Sequence, residues 1–230
     1  MTVDKGASAV DYDGIKKNRR ELDSYIERLQ SVAGSEFAGL GETEKLAFLI
    51  NAYNAASVKL IVDHFPLKSV QELGRFFGLV SPFKKASIRL FGKSVSASEL
   101  QTKVIELTHD PRVHFALACP AKGCPVLRYE PYLPQWVNHQ LDDAVLHFLK
   151  DIDKNRVDPV SKTMDLSALM KSCWWSPNPC YGNEIIKKFG SVEKFVVQRL
   201  VVQIQEQDAL IQNGINAKHH DVDWTLNSIE

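Results

Sequence analysis

The stretch Asp110-Pro-Arg-Val-His-Phe-Ala-Leu-Ala-Cys-Pro-Ala-Lys-Gly-Cys-Pro125 places two thiols and an imidazole within sixteen residues. A thiol reacts as its thiolate, and thiolates are stabilised by nearby cations and by helix N-termini. Cys124 stands directly before Pro125, which suits the first position of a turn or short helix. Backbone N–H groups of that turn would point towards its sulfur, and Lys122 and Arg128 add positive charge. This is the setting of an activated nucleophile. The general base would be His114, ten residues upstream. Arg112 to Cys119 reads as a strand with both faces covered, so His114 and Cys119 would lie on opposite faces. The couple expected is therefore His114 with Cys124.

Plainer readings of the same residues stand beside this one. Cys119 at a strand end reads as a small buried apolar residue, and His114 as a satisfied core histidine. A Cys119–Cys124 disulfide would close a short loop if the turn brings the two together. Cys119, Cys124, Cys173 and Cys180 also make four thiols, but the intervals of four and six residues fit structural zinc poorly. His219-His220 beside Asp221 and Asp223 resembles a metal tail and reads as polar surface. No metal site and no cofactor is implied.

Asn51 and Asn54 sit one turn apart on the most apolar helix of the chain. A buried amide without partners costs about 1–3 kcal/mol. The two therefore either lock the backbone of the Cys119–Cys124 loop, or orient a histidine and help form an oxyanion hole. Tyr53 between them reads as core.

The elements that must position these groups follow from periodicity. Ile15, Leu22, Ile26, Leu29 and Ala33 predict a helix over 14–33, with Asp13 as N-cap, Gly34 as stop and a solvated basic face. Residues 44–64 are apolar nearly all round, which predicts a buried helix ending before Phe65-Pro66. Residues 86–95 read as a hairpin turning at Gly92, and Ser96 with Glu99 as a capping box for a helix over 97–107. An amphipathic helix over 137–152 has Ile152 on its inner face and Asp142-Asp143 solvated. A second hairpin over 156–166 turns around Asp158-Pro159. Ser167 then caps a short helix to Cys173, Ser191 starts a long one to Gln212, and a polar tail closes the chain. Neither a βαβ alternation nor a GxGxxG motif is present, which disfavours a Rossmann nucleotide site. The fold class expected is α+β: one helix-rich domain over 1–230 around a small antiparallel sheet.

Composition bounds the rest. At about 150 residues per domain, 230 residues give one core with helical appendages. With 44% hydrophobic and 24% charged residues the chain is neither disordered nor fibrous. Lys plus Arg and Asp plus Glu are 28 each, so no polybasic character points to nucleic acid. The N-terminus has acids early and no apolar core of a signal peptide, and the apolar runs fall short of a membrane span. A soluble, cytoplasmic protein with free thiols is expected.

Phe48-Leu-Ile-Asn-Ala-Tyr-Asn-Ala55, Asp110 to Cys119, Lys122-Gly-Cys-Pro125 and Gln140-Leu-Asp-Asp-Ala144, in this order, resemble domain-of-unknown-function family 547 over residues about 42–150. The helix 14–33 and a helical extension over 167–213 would flank that core. Asp223-Trp-Thr-Leu-Asn227 looks like the close of bacterial members. The family has no settled activity. Fusion of some eukaryotic members to glutaredoxin-like domains implies thiol chemistry, and the coiled-coil segments of plant members imply interaction. The family's Glu-His pair in the helix after the hairpin is replaced here by Gln101-Thr102, which implies altered function if that pair acts.

Two functions of different class follow. One is a cysteine-dependent hydrolase or acyl/thiol transferase acting on a small molecule or peptide. In it Cys124 is the nucleophile, His114 the base, Asn54 the orienting group, and Asn51, Cys119, Lys122 and Arg128 the binding residues. The other is a non-catalytic module with a protein partner, in which the same residues only stiffen the loop.

Overall fold

Asp11 accepts a hydrogen bond from the Gly14 N–H and opens α1 (Tyr12–Lys17) in the computed structural model, which describes residues 9–74, 82–84, 87–171 and 181–229. Asn18 then leaves helical geometry, and α2 (Arg20–Ser31) and α3 (Gly34–Gly39) follow. The single helix expected over 14–33 is thus broken, and Gly34 starts a helix instead of stopping one. The break turns the chain so that Tyr12, only 1% exposed, is buried on one side while the stripe Ile26 and Leu29 packs inward on another.

The helix α4 (Glu42–His64) is the centre of the larger core. It is long and apolar enough to cross a membrane, with mean hydropathy 1.2, yet 67% of that window is buried inside the protein. The hairpin β1 (Ser87–Leu90) and β2 (Lys93–Ser96) turns through Phe91 and Gly92, both with positive φ. That is the twist a two-residue hairpin turn requires, and Gly92 supplies it without strain. The Ser96–Glu99 capping box then starts α5 (Ala97–Thr108) as expected.

The largest departure comes next. Residues 113–116 form a single helical turn, α6 (Val113–Ala116), where a strand is expected. The Asp110 carboxylate accepts from the Arg112 N–H, and Pro111, just before the N-cap Arg112, fixes the turn that leads into the helix. A strand would aim Val113 and Phe115 the same way. The turn instead sends Val113 and Ala116 into the α4 core and Phe115 into a second core, so all four residues are buried.

That second core surrounds α7 (Val137–Lys150), β3 (Asn155–Asp158), β4 (Thr163–Ser167), α8 (Tyr181–Phe189) and α9 (Val192–Leu200). Phe115 meets Phe148 and Phe195 there at ring separations of 5.2 and 6.0 Å. The helix α7 stops before Ile152, which is 70% exposed and not on an inner face. Ser167 caps only a short 3-10 turn over Ala168–Met170, and the Cys173 end of that expected helix lies outside the described residues. The long helix expected from Ser191 is two: α9 ends at the extended Val201, and α10 (Ile204–Asn213) restarts after it.

The expected polar tail is structured. Its first part is β5 (Asn216–His220), which pairs parallel to β4, so the second sheet is mixed where an antiparallel one is expected. The fold is α+β and helix-rich, with one two-stranded and one three-stranded sheet among the described residues.

Candidate functional site

Four buried or half-buried amides hold the irregular segments around α4 and α7. Asn54 accepts from Ala118 N–H at 3.0 Å and donates to the Ala116 carbonyl at 3.1 Å. Asn51 makes the same two-pronged pairing with Tyr132, accepting at 2.9 Å and donating at 2.8 Å. Gln140 accepts from Leu133 N–H and donates to the Pro131 carbonyl. Asn155 joins Phe148 to Ser167. Each amide supplies one donor and one acceptor to backbone that no sheet or helix satisfies. Asn51 and Asn54 therefore lock backbone on either side of the Cys119–Cys124 loop, at Tyr132 and at Ala116 and Ala118, and not the loop itself as expected.

Cys119 and Cys124 are joined by a disulfide, with Cα atoms 5.6 Å apart. The expectation of free thiols fails for this pair. Cys124 is 1% exposed, and Cys119 is half-buried. Residues 125–128 form no helix, so no helix N-terminus faces the Cys124 sulfur. The bonded cysteines cannot both ligate zinc as thiolates, and Cys173 and Cys180 lie outside the described residues.

His114 is fully buried, and neither ring nitrogen has a hydrogen-bond partner among the described residues. It stacks on Tyr181 with ring centres 4.6 Å apart. Burial drives its pKa down to about 4, against a weaker opposing pull from Glu184. Neutral and unpaired, it neither contacts a sulfur by hydrogen bond nor reaches solvent. The His114–Cys124 couple is not formed.

Of the two charges expected to support a thiolate, Arg128 is engaged elsewhere. Arg128 is paired with Asp143 and, at 2.7 Å, with Glu130. Arg112 binds Asp110 at 2.8 Å and Asp142 at 2.9 Å. Asp142 and Asp143 are thus ion-paired and not merely solvated. Burial alone would raise the Asp110 carboxyl, but the Arg112 hydrogen bonds hold it below the usual range. Lys122 is exposed, and its backbone N–H donates to the Thr225 carbonyl. Gln101 and Thr102 lie on α5, with Thr102 bonded back to the Ser98 carbonyl. His220 pairs with Asp165 at 2.9 Å across β5 and β4.

A narrow cleft of about 10 Å³ lies beside Cys119, lined also by Tyr12, Asn54, Pro120 and Asn227. It has room for about one water molecule, whereas small-molecule sites run to about 300–1,000 Å³. An open hollow of about 530 Å³ on α2, among Arg20, Glu21 and Arg28, is a charged surface. Among the described residues no three His, Cys, Asp or Glu side chains gather to hold a metal ion.

What the sequence reading passed over is the loop after the disulfide. Tyr129 is 89% exposed and Trp136 59%, on a segment whose backbone Asn51 and Gln140 pin at Pro131, Tyr132 and Leu133. The signal was present as aromatic residues interleaved with prolines in Tyr-Glu-Pro-Tyr-Leu-Pro-Gln-Trp136. Gly123 is a second such position. A Cβ there would lie 2.7 Å from the Asp223 nitrogen.

Residues 37–149 match the family model described as "Protein of unknown function, DUF547". No curated protein and no solved structure matches the chain. The matched stretch contains Asn51, Asn54 and Gln140, the disulfide loop and the exposed aromatic loop, and the match bears out the resemblance to domain-of-unknown-function family 547 over these residues.

Proposed function

We propose that this chain is a non-catalytic interaction module, with the 125–136 loop as its contact face and a peptide segment of a partner protein as its ligand. One observation carries the reading: Tyr129 and Trp136 are displayed to solvent from a segment whose backbone Asn51 and Gln140 bind at Pro131, Tyr132 and Leu133. Aromatic side chains offer large contact area at small entropic cost, and tryptophan and tyrosine dominate interface energetics. A pre-ordered loop loses little further freedom on binding. The alternative, cysteine-dependent catalysis, lacks support from the oxidised site, where Cys124 is bonded and His114 is sealed.

Selection of a displayed random-peptide library against the whole protein tests this. Peptides enriched on the wild type are expected to lose affinity on the order of tenfold or more for Trp136→Ala. They should bind His114→Phe unchanged. Enriched peptides indifferent to Trp136→Ala and Tyr129→Ala would overturn the assignment of this face.

A further inference from the structure

We infer that the Cys119–Cys124 disulfide is a thiol–disulfide exchange site for a dithiol, and that its reduction releases the 222–229 segment from the surface it covers. The segment lies against the disulfide loop by main-chain contacts. Lys122 N–H donates to the Thr225 carbonyl at 2.9 Å, and Gly123 N–H to the Asp223 carbonyl at 2.8 Å. Ala121 and Leu226 form an antiparallel bridge. The far side of the segment is held by Leu226 N–H on the Lys68 carbonyl, Ser69 Oγ on the Trp224 carbonyl, and Val10 N–H on the Asn227 carbonyl. Tyr12 adds its hydroxyl to Asn227 Oδ1 at 2.9 Å.

The loop fits this segment because the disulfide fixes its two ends and because residue 123 has no side chain. Beyond the 2.7 Å approach to Asp223, a Cβ there would meet Val222 Cγ1 at 2.8 Å. Docking buries the segment's own Leu226 and Asn227, and Asn227 lines the cleft beside Cys119. Without the bond, the four residues between the cysteines regain conformational freedom, and their amides no longer stand in register with the segment.

The two sulfurs differ in access. Cys119 is half-buried at the cleft, whereas Cys124 is sealed within the α4 core. A dithiol's thiolate therefore attacks Cys119 Sγ, the Cys119–Cys124 bond breaks, and Cys124 leaves as a thiolate that takes up a proton. The dithiol's second thiol then displaces Cys119 from the mixed disulfide. Two electrons and two protons pass to the protein, and the dithiol becomes a disulfide. The exchange differs from the cysteine enzyme weighed above in needing neither His114 nor a bound substrate.

Amide hydrogen exchange on the intact chain, with and without dithiothreitol, tests the inference. Reduction is expected to speed exchange at residues 121–124, 224–229 and Val10 on the order of tenfold or more, with α4 and the β3–β4 pair unchanged. Unchanged exchange at 224–229 overturns the proposal, as does failure of dithiothreitol to reduce the folded protein. Loss of protection extending through α4 also overturns it, since the disulfide would then hold the core and not the segment. Gly123→Ala, with the disulfide intact, should give the same selective loss without reductant, and retained protection there contradicts the docking. Glutathione added in limiting amount should be found on Cys119, and its recovery on Cys124 would contradict the order of attack.

Discussion

Replacing Asn54 by alanine is expected to lower the unfolding free energy by about 2–5 kcal/mol, because two buried backbone groups lose their partners at once. Ala118 N–H and the Ala116 carbonyl belong to a segment with no sheet to satisfy them, and Asn54 is 8% exposed. The adjoining cleft holds about one water at most, so rescue by solvent is confined to what the deleted side chain vacates. Asn51→Ala should cost less. Its partner, Tyr132, lies on a loop whose neighbours reach solvent, and water can replace a lost bond there. Urea unfolding of both variants provides the check. A loss below about 1 kcal/mol for Asn54→Ala would show that the lock is dispensable.

The second large effect concerns His114 and pH. Its pKa in the folded protein is near 4, against an ordinary value of 6.5, and burial is the cause. Below pH 6.5 the unfolded chain therefore binds a proton that the folded chain refuses. Stability contributed by the neutral ring is complete above that pH and is lost as pH falls through 6.5 towards 4. A shift of this size corresponds to about 3 kcal/mol. His114→Phe keeps an aromatic ring against Tyr181 and removes the titration. The stability difference between wild type and variant should move by about 3 kcal/mol between pH 7 and pH 4, in the variant's favour at low pH. Parallel pH profiles from denaturant unfolding would mean that His114 finds a proton partner in the folded state. Other carboxylates, Asp110 among them, titrate in both proteins and cancel in the comparison.

The same residues show how much the sequence disclosed. The burial of α4, its end before Phe65-Pro66, the hairpin at Gly92 and the Ser96–Glu99 cap are legible because each rests on local rules. The expectation that Asn51 and Asn54 either lock backbone or shape an oxyanion hole left the choice to geometry. Both amides bind backbone, but at Tyr132 and at Ala116 and Ala118, on either side of the loop and not within it. The 112–119 segment misleads because a short apolar run has no period that separates strand from buried helix. Here the Asp110-Pro111 start is a local signal for helix, and the run is apolar on every side because it lies between two cores. The alternation placing His114 opposite Cys119 disappears with that strand. Periodicity carried the helices at 14–33 and 191–212 across breaks at Asn18 and Val201–Gln203, since interruptions set by distant packing leave little mark on a stripe. Long-range pairing of residues 216–229 was invisible for the same reason. Its partners lie as far away as Val10 and Ser69.

His114 makes no hydrogen bond to Cys124 in the folded protein, and thiol reactivity after reduction tests most directly that the two do not act as a couple. The rate of iodoacetamide alkylation at Cys124 should rise with pH only in the ordinary thiol range, at about pH 8–9, and stay slower than that of an unhindered thiol. The profile should be the same in His114→Phe. Rapid alkylation of Cys124 below pH 7, slowed or shifted upward by His114→Phe, would contradict the account and restore the cysteine enzyme.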